Sequence, residues 1–237
     1  MTSEHQKPIA IIQARMNSKR FPGKVLCEIN GKPLLAYLIE TVKQCRSLGA
    51  IFVATSAERS DDAVQDFCSR SNVPCFRGGQ NNVAGRFKDI LEIRRTSFFV
   101  RLCGDSPLLD FRLIDDAVRL YESGHYDVVT NLFPRSFPKG QSVEVLNTDT
   151  YLSAYEQFDR EEDFEHVTKF FYRNAEGLRI RNVALKENLS EVNLSVNTSD
   201  DLEIFERIIS HMHRAHWTYE LKEIVELYNQ VSAKNTC

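Results

Sequence analysis

The stretch IIQARMNSKRFPGKVL, residues 11–26, joins an apolar run to a basic loop. Its beginning belongs to PIAIIQA (8–14), which is apolar almost throughout and therefore indicates a strand buried on both faces. The loop that follows carries four basic side chains and no acidic one: Arg15, Lys19, Arg20 and Lys24. Because the whole chain has a formal net charge of -3, this local excess of positive charge predicts an anion-binding site at the end of a buried strand.

Short apolar runs alternate with amphipathic stretches over residues 1–132. Strands are predicted at 8–14, 50–56, 74–78, 97–103 and 126–132, and helices at 33–45, 61–71, 83–95 and 108–124. This alternation predicts an α/β fold with a mostly parallel, Rossmann-like sheet flanked by helices on both faces. Open sheets of this kind bind ligands beyond the carboxyl ends of their strands, which is where the basic loop falls.

Residues 133–196 have a different pattern, punctuated by Pro134, Pro138 and Gly140. Predicted strands at 142–146 and 178–185 and predicted helices at 148–158 and 161–174 indicate a smaller mixed α/β lobe. Two amphipathic helices, at about 199–213 and 217–231, close the chain within residues 197–237. With 237 residues in all, we expect these parts to form a single domain.

The composition excludes several classes of protein. A balance of 30 basic against 33 acidic residues argues against general binding of nucleic acid or of a membrane surface. The start MTSEHQKP lacks the apolar core of a signal peptide, and no run approaches the roughly 20 apolar residues of a membrane span. Six well-separated cysteines, including Cys237, without a C-x-x-C pair predict reduced thiols in a cytoplasmic protein.

The sequence CGDSP (103–107) directly follows the predicted strand at 97–103. An acidic residue on such a turn can hold Mg²⁺, which takes oxygen ligands and bridges phosphates. The alternative is that Asp105 caps the helix beginning near Leu108. For the basic loop the alternatives are a phosphate site or a solvated turn, and its spacing matches neither G-x-x-x-x-G-K-[ST] nor G-x-G-x-x-G.

Five motifs together resemble one family: IIQARMNSKRFPGKVL, CGDSPLL, SVEV, EHVT and VNTSDDLE. Their order and spacing resemble the cytidylyltransferases of the spore-coat-polysaccharide type, relatives of the CMP-acylneuraminate and CMP-Kdo synthetases. The resemblance runs over nearly the whole chain and implies a GT-A-like nucleotidyltransferase fold. It also implies attack of an acceptor oxygen on the α-phosphorus of CTP, with pyrophosphate as the leaving group.

The resemblance further implies roles for individual residues. Arg15, Lys24 and Asp105 would be catalytic, and Asp105 and the residue at position 197 would hold Mg²⁺. Glu144, Glu165 and His166 would lie towards the acceptor, although for His166 a structural hydrogen bond is an equal alternative. Residues 1–132 would bind the nucleotide and residues 133–196 the acceptor and, in a homodimer, the partner subunit. The CTP-binding residues would be Ala14, Arg15, Ser18, Arg20, Lys24 and Arg86.

The sequence departs from the family pattern at positions where relatives commonly carry acids. Asn197 stands in VNTSDDL where relatives read V-D-T-P-E-D-L, Ser142 replaces an Asp, and Asn81 and Asn82 stand where acids are usual. An amide oxygen can still coordinate Mg²⁺ but contributes no charge. Asp200 and Asp201 are either substitute ligands or acids favoured at a helix start.

Four functions remain open at this stage. The first is a CTP-dependent cytidylyltransferase that activates a small acidic sugar of the nonulosonic acid type for a surface glycan. The second keeps CTP but takes another acceptor, such as a Kdo-like sugar or a phosphorylated small molecule. The third, a glycosyltransferase, is disfavoured because the chain contains no D-x-D motif. The fourth is a degenerate family member that binds nucleotide without catalysis, as the lost acids suggest.

Overall fold

The computed structural model describes residues 7–233, so Cys237 and the extreme amino terminus lie outside the described residues. This part of the chain contains nine strands: β1 (Ile9–Gln13), β2 (Glu28–Ile29), β3 (Lys32–Pro33), β4 (Ala50–Ser56), β5 (Cys75–Gly78), β6 (Phe98–Cys103), β7 (Val128–Thr130), β8 (Glu144–Asn147) and β9 (Ile180–Asn182). Within 7–233, no helix is long and apolar enough to cross a membrane.

The same residues form nine α-helices. They are α1 (Leu34–Val42), α2 (Asp62–Arg70), α3 (Val83–Arg94), α4 (Phe111–Glu122), α5 (Thr148–Tyr155), α6 (Glu161–Glu165), α7 (Lys169–Arg173), α8 (Ser199–Ser210) and α9 (Leu221–Ser232).

Seven strands form the main sheet, in the order β5-β4-β1-β6-β8-β7-β9, and β2 and β3 form a small antiparallel pair. The pairs from β5 through β6 are parallel, whereas β8 runs antiparallel to both β6 and β7. From β1 the chain first adds strands on one side and then returns to place β6 on the other. The strand order therefore reverses between β1 and β6, which is where open α/β sheets form their ligand crevice.

Strand β1 shows how the sequence covers both faces of the sheet. Ile9 and Ile11 point into the core beneath α3, α5 and α7, while Ala10 and Ile12 point into the core beneath α1, α2 and α4. All four residues are at most 2% exposed. A strand buried on both faces has no polar side to reveal its period, and this explains the continuous apolar run in the sequence.

Helices α8 and α9 form a third apolar cluster with α1. Phe205 of α8 packs edge-on against Tyr37 of α1, with 5.1 Å between the ring centroids. Thr198 and Asp201 form a capping box at the start of α8. This packing holds the segment immediately before α8, residues 193–197, against the carboxyl end of the sheet, where the Val196 amide donates to the Asp105 carbonyl.

The predicted mostly parallel sheet with flanking helices is confirmed, but the later strands differ in detail. The strands predicted for a smaller lobe join the main sheet, because β8 pairs with β6 and β7, and β9 pairs with β7. The helix predicted at 161–174 is two short helices, because His166 leaves the helical backbone conformation, with φ -110° and ψ 83°. Such pairings and breaks depend on contacts distant in sequence.

Candidate active site

A cleft of about 300 Å³ opens beyond the carboxyl ends of β1 and β6. Five basic and two acidic side chains line it, in a chain whose formal net charge is -3. The lining residues are Gln13, Ala14, Arg15, Ser18, Lys19, Arg20, Lys24, Val25, Val83, Arg86, Cys103, Gly104, Asp105, Glu165 and His166. The cleft therefore concentrates positive charge where the fold places ligands.

The basic loop folds back on the end of β1. The Met16 carbonyl accepts hydrogen bonds from the Ser18 amide at 2.9 Å and from the Gly23 amide at 2.7 Å. Gly23 adopts a φ of 78°, a left-handed conformation that favours glycine. A short 3₁₀ helix begins at Lys24, so the turn directs the Lys24 side chain inward.

The Lys24 ammonium lies where three oxygens converge. It donates to Asp105 Oδ2 at 2.8 Å, to the Val196 carbonyl at 2.8 Å and to Asn197 Oδ1 at 2.9 Å. Lys24 is only 7% exposed, whereas the Asp105 side chain is 26% exposed. The Arg20 guanidinium donates to the same Asn197 oxygen at 2.9 Å. One carboxylate and one amide thus face two cations, which leaves excess positive charge available for an anion.

Arg15 and Arg86 also line the cleft. Arg15 donates to Glu165 Oε1 at 2.9 Å, and this bond lowers the pKa of the Glu165 carboxyl. Arg86, 1% exposed, donates to the carbonyls of Gly79 at 3.0 Å and Gln80 at 2.7 Å. Burial and the neighbouring Arg15 lower the pKa of Arg86 to about 10, which leaves the guanidinium charged at neutral pH.

A buried carboxylate, Asp61, accepts a hydrogen bond from the first part of the basic loop. Asp61 is 1% exposed and accepts from the Met16 amide at 2.6 Å, from the Ser56 amide at 3.0 Å and from the Ser56 hydroxyl. These bonds fasten the start of the loop to the end of β4. Asp61 was not among the residues predicted from the sequence, although an acidic residue shortly after an apolar strand is a recognisable pattern.

A polar network underlies the cleft on the same face of the sheet. Arg101 donates to Gln13 Oε1 at 3.0 Å and to Glu144 Oε2 at 2.5 Å, and the Tyr172 hydroxyl donates to Glu144 Oε1. Glu144 is fully buried and does not line the cleft, so its predicted contact with an acceptor stays a prediction. Arg101 could have been singled out from the sequence, because a charged residue inside an apolar strand requires a polar partner.

The predicted CTP-binding residues all lie in this cleft, together with Asp105, Glu165 and His166. The exposed His166 side chain makes no hydrogen bond within residues 7–233, and it lies close enough to Glu165 to interact with it electrostatically. Burial raises the pKa of the Cys103 thiol to about 11, and the thiol is therefore neutral at physiological pH. The catalytic and binding roles assigned to these residues stay predictions.

Helix capping distinguishes between several of the alternative roles predicted for polar residues. Asp110, not Asp105, caps α4, because its side chain accepts from the Arg112 amide. Asn82 caps α3, and Asp201 accepts from the Asn197 and Thr198 amides. The capping interpretation of Asp105 is therefore wrong. Asp201 serves the start of α8, as one of its two interpretations held.

Comparison with known proteins gives a consistent result. The family model described as Cytidylyltransferase matches residues 9–227. An uncharacterized protein of Methanocaldococcus jannaschii is 30% identical over 86% of this chain and 84% of its own length. The spore coat polysaccharide biosynthesis protein SpsF of Bacillus subtilis is 29% identical over 81% and 82%. An 8-amino-3,8-dideoxy-manno-octulosonate cytidylyltransferase of Shewanella frigidimarina is 32% identical over 52% of each chain.

Solved structures agree with the fold. A cytidylyltransferase from Leptospira borgpetersenii superposes with a TM-score of 0.90 at 26% identity, covering 97% of this chain and 96% of that one. A CMP:2-keto-3-deoxy-manno-octonic acid synthetase complexed with CTP has a TM-score of 0.65 at 19% identity, over 86% and 98%. At that lower identity the likeness concerns the fold alone.

Proposed function

The chain belongs to the cytidylyltransferase family, and from this premise we propose that it transfers CMP from CTP to a small acidic sugar of the nonulosonic acid type, for surface glycan biosynthesis. The observation that carries the proposal is the cationic cleft at the strand-order reversal, where five basic side chains face two acidic ones. A triphosphate is the kind of small anion whose charge density requires several converging cations.

In the proposed reaction an acceptor hydroxyl oxygen forms a bond to the α-phosphorus while the bond to the β-phosphate bridging oxygen breaks. Pyrophosphate leaves with that bridging oxygen, and the hydroxyl proton passes to solvent. The protein then contributes chiefly by positioning the phosphates and stabilising their charge. Arg15, Arg20 and Lys24 bind phosphate oxygens, and Arg86 holds the nucleotide side of the cleft.

Mg²⁺ is the cofactor that we propose, and the donor set fits it. In proteins Mg²⁺ is commonly held by one or two carboxylates together with substrate phosphates and water. Asp105 and Asn197 would hold the ion, which would neutralise charge on the phosphates. Within residues 7–233 no group of three or more His, Cys, Asp or Glu side chains could hold a metal. We therefore expect Mg²⁺ to bind together with CTP rather than before it.

Asn197→Asp tests this ligand set. The change adds a carboxylate beside Asp105, and we expect the Mg²⁺ concentration for half-maximal turnover to fall on the order of tenfold, about 1.4 kcal/mol. Ion pairing with Lys24 and Arg20 opposes part of this gain. Asn188→Asp is the matched control, because it adds the same charge at an exposed position. An unchanged Mg²⁺ requirement in Asn197→Asp contradicts the proposed role of position 197.

A second acceptor class is an eight-carbon octulosonic acid. The observation that favours it is the 32% identity over 128 residues with the cytidylyltransferase of Shewanella frigidimarina, whose name states such a substrate. Both acceptor classes are acidic sugars, so the cleft chemistry is the same for either. A homodimer and a cytoplasmic location also stay predictions.

Pyrophosphate release decides the proposed function. The protein is incubated with CTP and Mg²⁺, with either N-acetylneuraminate or 3-deoxy-manno-octulosonate as acceptor, and with ATP, GTP or UTP as nucleotide controls. We expect release that requires both CTP and an acid, and faster release with N-acetylneuraminate. Release with CTP and the octulosonate alone would assign the second acceptor class. If pyrophosphate release does not depend on either acid, the proposal is contradicted.

A further inference from the structure

Arg135 is a half-buried cation without a carboxylate partner. Its guanidinium donates to the Pro138 carbonyl at 3.2 Å and to the Ser142 hydroxyl at 3.0 Å. No carboxylate in residues 7–233 forms an ion pair with it, in contrast to Arg101, which pairs with Glu144. Burial lowers the pKa of Arg135, and the Glu144 carboxylate opposes this shift without forming an ion pair with the guanidinium.

The sheet places this cation near the end of β6, next to the cleft. The register pairs Glu144 on β8 with Arg101 on β6, and Ser142 and Cys103 each lie two residues beyond that pair. Cys103 lines the cleft and Asp105 follows it by two residues. Arg135 also interacts electrostatically with Cys103 and with Glu144, which puts its guanidinium close to the end of β6.

An exposed aromatic residue precedes the cation by two positions in the sequence. Phe133, two residues before Arg135, is 43% exposed, one of two large apolar residues exposed to this degree in the described chain. Its ring stacks on Tyr172, with 5.0 Å between centroids and 22° between planes, and the Tyr172 hydroxyl bonds Glu144. Phe133 is therefore held in place by the network that underlies the cleft.

A cation and an aromatic ring that both lie close to Tyr172 favour a ligand that is both anionic and partly apolar. A guanidinium has more N–H donors than its two present bonds use, and its planar fork matches a carboxylate. The apolar face of a sugar ring can pack on an exposed aromatic side chain. A carboxylate at this place would also form an ion pair with a guanidinium that has none within residues 7–233.

We propose that Arg135 binds the carboxylate of the acceptor sugar and that Phe133 packs against the sugar ring. This assignment rests on the proposed function and places the acceptor beyond Cys103, next to the residues that line the cleft. It also explains the residue at position 142: Ser142 holds the guanidinium by a neutral hydrogen bond and leaves its charge to the substrate. A carboxylate at position 142 would instead form an ion pair with the Arg135 guanidinium.

The test introduces an acidic residue at position 142. Ser142→Asp places a carboxylate next to Arg135, while Ser142→Asn adds similar bulk without charge and is the matched control. With CTP saturating, we measure KM for N-acetylneuraminate and 3-deoxy-manno-octulosonate by pyrophosphate release, and CTP affinity separately by thermal shift. We expect Ser142→Asp to raise KM for the accepted acid about tenfold or more, with CTP affinity unchanged within about twofold. Ser142→Asn should leave KM close to that of the parent protein.

Arg135→Gln provides the second measurement and should raise KM for the acid about 10- to 100-fold, the range for losing a charged hydrogen bond. If this variant does not fold, the comparison of Ser142→Asp with Ser142→Asn decides whether the proposal holds. Equal KM values in Ser142→Asp and the parent overturn the proposal, and so do equal increases in Ser142→Asp and Ser142→Asn. A parent protein that binds CTP but uses neither acid overturns the acceptor assignment, whereas absent CTP binding overturns the proposed function itself.

Discussion

Replacing Lys24 with methionine lowers kcat/KM for CTP by about 10²- to 10³-fold, or roughly 3–4 kcal/mol. The ammonium is 7% exposed and bonds oxygens of Asp105, Val196 and Asn197, so it is a fixed charge at the centre of the cleft. A fixed charge in a partly buried site stabilises a developing phosphate charge more than a mobile one does. Methionine retains much of the side-chain bulk and removes only the charge and the donors.

The matched control is Lys7→Met. Lys7 is exposed, donates to the Arg46 carbonyl at 2.7 Å and precedes β1 at the opposite, amino end of the strand. We expect its kcat/KM to change less than about twofold, as is usual for surface positions. Circular dichroism and thermal melting establish that Lys24→Met is folded. A folded Lys24→Met variant with unchanged kcat/KM would show that the basic loop is only a surface turn.

Asp105→Asn removes the one carboxylate among the oxygens around Lys24, and we expect Mg²⁺-dependent turnover to fall on the order of 10³-fold. The amide has nearly the same shape, and its oxygen can still accept from the Lys24 ammonium. Stability should therefore change little, by about 1 kcal/mol or less. The measurement is kcat over a range of Mg²⁺ concentrations, with saturating CTP and the accepted acid.

Asp116→Asn is the control for this change. Asp116 lies on α4 with a side chain that is 58% exposed, outside the candidate active site, and it forms an ion pair with Arg119. Its removal deletes the same charge without touching the oxygens around Lys24. An Asp105→Asn variant with the activity and Mg²⁺ dependence of Asp116→Asn refutes the metal-binding role of Asp105.

The elements predicted well from sequence are those specified by local patterns. The helix predicted at 83–95 is observed as Val83–Arg94, and the strand predicted at 97–103 as Phe98–Cys103. Both combine a clear apolar pattern with a definite boundary. The basic loop was also recognisable, because four cations after a buried strand constitute a local signal.

The features that sequence reasoning missed depend on distant partners. Nothing local shows that β8 inserts antiparallel between β6 and β7, since strand pairing is fixed by packing across the whole sheet. That Arg135 forms no ion pair within residues 7–233 likewise depends on what surrounds it in space. Asp61 supports the loop across 45 residues of sequence, and only the folded chain brings its carboxylate to the Met16 amide.

The most direct test of the central claim is thermal unfolding with each of CTP, ATP, GTP and UTP, with Mg²⁺ and with a chelator. A ligand that binds only the folded state at 100 times its Kd stabilises it by about 2.7 kcal/mol, which for a chain of this size is roughly 5–10 °C. We predict a shift of this size with CTP and Mg²⁺, and a clearly smaller one with the other nucleotides or with the chelator. Absence of a shift with any triphosphate would contradict the assignment of the cationic cleft to CTP.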